Sequence, residues 1–180
     1  MLQIDIPAGE FWDEVNNQFI NTKAMTLTLE HSLVSLSKWE SKWCKPFLGK
    51  EEKTNEETLD YIKCMTLTQN VDPNVYLALS YDNLEKIKQY INDPHTATTI
   101  TERPGAPKSH EIITSELIYY WMLSLNIPFE CQKWHLNRLL MLIKVCNVKN
   151  APPQKMSQRQ LMSRNAALNA ARRKKLHSAG

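Results

Sequence analysis

The chain is poor in glycine, with four in 180 residues. Folds that bring several backbone segments close against phosphate use glycine at those points. Neither G-x-G-x-x-G nor G-x-x-x-x-G-K-[ST] occurs, so a nucleotide or dinucleotide fold is not expected. The four cysteines, Cys44, Cys64, Cys131 and Cys146, include no C-x-x-C pair and predict free thiols in a reducing compartment. Long apolar runs are also missing. The densest, Leu117 to Leu125, is broken by Ser124 and falls well short of the roughly 18 residues a membrane span needs. The opening "MLQIDIPAGEFWDE" lacks the basic start and apolar stretch of a signal peptide. These absences predict a cytosolic-type chain with no membrane role.

What is present is a globular composition, 42% hydrophobic and 23% charged. The net charge of +3 conceals an asymmetry. Residues 151–180 carry Lys155, Arg159, Arg164, Arg172, Arg173, Lys174 and Lys175 with no acid, so removing those seven leaves −4 for residues 1–150. The expected organisation is one globular domain over 1–150 and a basic, conditionally helical tail over 151–180.

Period-two alternation in "LQID" and "MTLTLE" predicts strands that form a small antiparallel sheet. Between them "FWDEVNNQFI", Phe11 to Ile20, reads as partly helical. Leu29, Leu33, Leu36, Trp39 and Trp43 then recur at helical steps, and Pro46 and Gly49 end that helix near Cys44. Thr54 and Glu57 form a capping box for the next helix. Asp72 before Pro73 starts another segment, and Ser80 caps "YDNLEKIKQYI". The β-branched "TATTITE" predicts a strand beside the N-terminal ones, and "RPGAPKSH" a loop. Two helices, about 114–125 and 127–147, meet at "NIP" as an αα-hairpin, with Asn126 capping the second. The predicted fold is α+β and predominantly helical: a small N-terminal sheet packed on a helical bundle, then the tail.

One stretch could carry chemistry. "ECQKWHLNRL" (130–139) places Cys131 four residues before His135. On a continuous helix both fall on the apolar face with Leu136, Leu139, Leu142, Ile143 and Cys146. Cys146 lies 15 residues from Cys131, roughly 22 Å along that helix, so it cannot complete a zinc site. A nucleophilic thiolate asks for a polar, exposed setting, and this face is apolar. Neither a catalytic nor a metal-binding set is expected here, nor a cofactor; the pair reads as core, with His135 needing a polar partner inside. Trp39 and Trp43, interleaved with Lys38, Lys42 and Lys45, could stack on single-stranded nucleic acid, but their spacing continues a leucine stripe and reads as core.

The runs "LEHSLVSLSKWESKWCKPFLGKEEKTNEETLDYI" and "ITSELIYYWMLSLNIPFECQKWHLNRLLMLIKVC", with the close "RNAALNAARRKKL", resemble tail assembly chaperones of long-tailed, siphovirus-type bacteriophages. That resemblance implies a non-catalytic, mostly helical protein of the infected host's cytoplasm, absent from the finished virion. It implies binding to the long helical tape-measure protein, keeping that client soluble until tube subunits assemble around it. In such families a longer frameshifted form is often made. The contact candidates are Leu161, Leu168, Arg172 and Arg173 in the tail, with the exposed aromatics of the hairpin region. Self-association stays open. The alternative is a virion structural or nucleic-acid-binding protein acting through the basic tail.

Overall fold

The computed structural model describes residues 1–13, 17–100, 111–151 and 158–176. It is α+β and mainly helical, as the patterning predicts. The strands are β1 (Leu2–Ile6), β2 (Gly9–Asp13), β3 (Gln18–Thr22) and β4 (Met25–Leu29). β1 pairs antiparallel with β4, placing Ile4 opposite Leu27 and Leu2 opposite Leu29. Alternation sends Ile4, Ile6, Leu27 and Leu29 inward, while Thr26 outside donates to the Asp5 carboxylate at 2.6 Å. Where the sequence reads as partly helical, the described residues form strands instead: β2 pairs antiparallel with β3, Trp12 opposite Phe19. The sheet is thus two separate two-stranded ladders.

The helices are α1 (Leu33–Trp43), α2 (Asn55–Met65), α3 (Tyr81–Asn92), α4 (Ser115–Ser124), α5 (Leu136–Asn150) and α6 (Gln158–Leu176). Local signals set most boundaries. Ser32 and Ser35 make a reciprocal capping box that starts α1 at Leu33, so Leu29 belongs to β4 rather than to the helix. Cys44 ends α1 in the left-handed conformation. Thr54 and Glu57 cap α2 as expected, and Ser80 caps α3. Asp72 accepts from the Asn74 N–H ahead of Pro73, opening a 3-10 turn over Pro73–Ala78.

Three further expectations are corrected. Residues 96–100 of "TATTITE" form no strand, since propensity alone supplies no ladder partner; residues 101 and 102, and the "RPGAPKSH" loop, lie outside the described residues. Asn126 does not cap a following helix. It adopts φ 52° and closes α4, with its N–H donating to Leu123 O and that of Ile127 to Met122 O, a Schellman pair. Asn126→Gly should leave stability unchanged or raise it, whereas Asn126→Ala should cost about 1 kcal/mol in chemical denaturation, because a Cβ without the amide is strained there.

The third correction concerns residues 127–147, which are not one helix. A 3-10 turn over Phe129–Lys133 gives way to extended Trp134, and α5 begins only at Leu136. The cause is tertiary. His135 bridges antiparallel to Ser32, and the Leu136 N–H donates to His31 O at 2.7 Å instead of to a carbonyl of its own helix. α4 and α5 are therefore joined through a structured turn, not by the short link of an αα-hairpin.

The chain divides into two compact units, Met1–Asn147 and Val148–Gly180. Within the first, two apolar clusters form. One joins Ile4, Ile6, Leu27 and Leu29 to Trp39, Tyr61, Ile62, Met65, Tyr76 and Ile87. The other joins Leu33 and Leu36 to Ile118, Met122, Ile127, Cys131, Leu136, Leu139 and Ile143. α1 contributes to both.

Candidate functional site

Cys131 and His135 are both buried, although no continuous helix aligns them. Burial, then the Glu130 carboxylate, pushes the Cys131 thiol above its ordinary range, which keeps it protonated and poorly nucleophilic. With a thiol reagent, exposed Cys44 should label quickly, while Cys131 should label only as fast as the protein unfolds.

His135 is satisfied by main chain. Its Nδ1 accepts from the Asn137 N–H at 3.3 Å, which puts the proton on Nε2, and Nε2 donates to Tyr90 O at 3.0 Å. Around it gather two histidines from distant segments. The His95 ring centre lies 4.0 Å away and that of His31 5.1 Å, with Tyr90 at 5.0 Å. His31 Nδ1 meets the Tyr61 hydroxyl at 2.6 Å. Burial first, then the charges of His135 and His95, lowers His31 to about 3. His135 is lowered for the same first reason. Among the described residues no group of three or more His, Cys, Asp or Glu has metal-holding geometry. What this set does is join the β4–α1 junction, the end of α3 and the start of α5: His31 and His135 are neutral and hydrogen-bonded, and the His95 ring packs against His135. Sequence periodicity could not find it, because residues 31, 95 and 135 meet only in the fold.

The tryptophans are likewise occupied by structure. Trp39 is buried and its indole N–H donates to Glu57 O at 2.8 Å, while that of Trp43 donates to Asp60 Oδ2 at 3.0 Å. Lys42 pairs with Asp60 and Lys45 with Glu57, so two of the three interleaved cations serve α2.

Exposed apolar groups lie elsewhere. α4 buries Ser115, Ile118 and Met122 and turns Tyr120 and Leu123 outward; Phe129 is half exposed beside Tyr119. These include the aromatics anticipated in the hairpin region. The β2–β3 ladder adds an exposed Trp12–Phe19 edge-to-face pair, which its sequence did not single out.

α6 carries the four tail candidates. Leu161, Leu168, Arg172 and Arg173 are all exposed on it, as is every other side chain described there. The helix holds six cations and no carboxylate. Among the described residues no helix is long and apolar enough to cross a membrane. Comparison with protein-family models, with curated proteins and with solved structures gives no match.

Proposed function

We propose that the protein is a non-catalytic tail assembly chaperone of a long-tailed bacteriophage, which binds the tape-measure protein in the host cytoplasm and keeps it soluble. The observation that carries this reading is α6, a 19-residue helix whose described side chains are exposed, with leucines and cations and no acid. Most helical stability in proteins comes from packing an apolar face, so a helix whose described side chains are all exposed gains stability on a partner. The outward Tyr120, Leu123 and Phe129 supply a second apolar surface of the kind that binds proteins, aromatic and half exposed. The sequence resemblance supplies the identity of the client.

Co-expression with the tape-measure protein encoded by the same phage tests this. The soluble fraction of the client should rise and the two should co-purify; an insoluble client and no co-purification would refute it. The six cations of α6 favour one further reading, nucleic-acid binding. It requires affinity for DNA or RNA that falls steeply with salt and vanishes when residues 155–180 are removed.

A further inference from the structure

At about 100° per residue, Leu161, Leu168, Arg172, Lys175 and Leu176 of α6 fall within an arc of about 100°. Leu161, Leu168 and Lys175 are seven and fourteen residues apart, the step that keeps side chains along one seam of a helix pair. Arg173 and Lys174 turn away from that arc, as does Met162. The arc also holds Gln158 and Asn165, so the stripe sets the three leucines of α6 on one side with Arg172 and Lys175 among them at its C-terminal half, along a helix of roughly 28 Å.

We infer that this stripe is a single recognition face, and that its partner is an acidic amphipathic helix with apolar residues at seven-residue steps and carboxylates beside them. This deepens the chaperone reading by giving the bound segment its chemistry, and it rests on that reading only for the client's name.

Charge selects the occupant. Two α6 helices in parallel would set Arg172 and Lys175 against their own copies, and in either direction the pair would bring twelve cations together, with no carboxylate in residues 151–180 to relieve the repulsion. A second copy of α6 is thus the wrong partner. Nucleic acid would use the cations, but it offers a leucine stripe no apolar floor, and here the leucines share the face with Arg172 and Lys175. An acidic amphipathic helix satisfies both at once: leucines fill the seam and the cations reach carboxylates along its edge.

The test compares two charge-matched variants of the full chain. Arg172→Gln with Lys175→Gln removes two cations from the face; Arg173→Gln with Lys174→Gln removes two from outside it. A third variant, Leu161→Gln with Leu168→Gln, removes the apolar floor. The probes are a synthetic acidic peptide about 20 residues long, with leucines at heptad positions and glutamates beside them, and a single-stranded DNA of similar length. Peptide affinity should fall roughly tenfold for the on-face charge pair and for the leucine pair, and less than about threefold for the off-face pair. Equal losses in the two charge pairs, no effect of the leucines, no peptide binding, or tighter binding of the DNA would each overturn the inference.

The same variants are co-expressed with the tape-measure protein. A client still held by the on-face variants refutes the face and leaves the chaperone reading standing. A client not held by the wild-type chain refutes the chaperone reading and leaves the peptide result to decide the face.

Discussion

Between pH 7 and pH 5 the protein should lose about 2 kcal/mol of unfolding free energy, and most of that loss should trace to His31. The folded pKa of His31 is about 3 against an ordinary value of 6.5. The unfolded chain therefore takes up a proton in this range and the folded chain does not. A depressed histidine favours folding fully above pH 6.5, and that contribution is lost as pH falls from 6.5 toward 3. Each unit is worth about 1.4 kcal/mol, so one and a half units below 6.5 gives about 2. His135, shifted in the same direction, adds to the slope.

The groups facing these rings are Glu30, which accepts from the Tyr90 hydroxyl and pairs with the Met1 ammonium, and Asp93 beside His95. They temper the shift of His135 without reversing it. Glu57 and Asp60, both lowered by lysine partners and hydrogen bonds, support folding above the ordinary carboxylate range and lose that support only at lower pH. The window from pH 5 to 7 thus isolates the histidines. Chemical denaturation at both pH values should show the slope reduced by about one proton in His31→Asn, which keeps an acceptor for Tyr61. An unchanged slope in that variant would place the proton uptake elsewhere.

Glu40→Ala should be more damaging, costing about 3 kcal/mol and lowering the melting temperature by about 10 °C. Glu40 is a buried carboxylate on α1. One oxygen accepts from the Phe47 N–H at 2.8 Å and the other from the Ser115 N–H at 2.7 Å, at the first turn of α4. Ser115 is wholly buried, so removing the acceptor leaves its N–H without water or protein to replace it. The negative charge also suits the positive end of α4. Glu40→Gln should cost about half as much, since one of the two acceptors becomes an NH2 set against an N–H. Thermal melts of both variants check this. A cost below about 0.5 kcal/mol for Glu40→Ala would mean that the α1–α4 contact is held by apolar packing alone.

The starts of α2, α3 and the 3-10 turn at Pro73 were legible because they are local, whereas the Ser32 box that starts α1 was not read. Ser and Thr three residues ahead of a matching acceptor, or Asp before Pro, satisfy orphan N–H groups without help from distant chain. The core was legible wherever one period ruled a whole element, as in Leu33, Leu36 and Trp39. The break at Trp134–His135 was not, because the hydrogen bond that replaces helix there comes from His31, more than a hundred residues earlier. Glu40 bonding to Ser115 was hidden for the same reason. Asn126 was read as a cap when its tolerance of positive φ decided instead. The tail candidates came from composition. Helical geometry sorts them, placing Leu161, Leu168 and Arg172 on one stripe and Arg173 off it.

The proposed role is the holding of a helical client. Its most direct measurement is dilution of the denatured tape-measure protein into buffer with and without an equimolar amount of the purified chain. A soluble complex by size exclusion is expected with the chain present, and aggregate without it. Equal aggregation in both samples would contradict it.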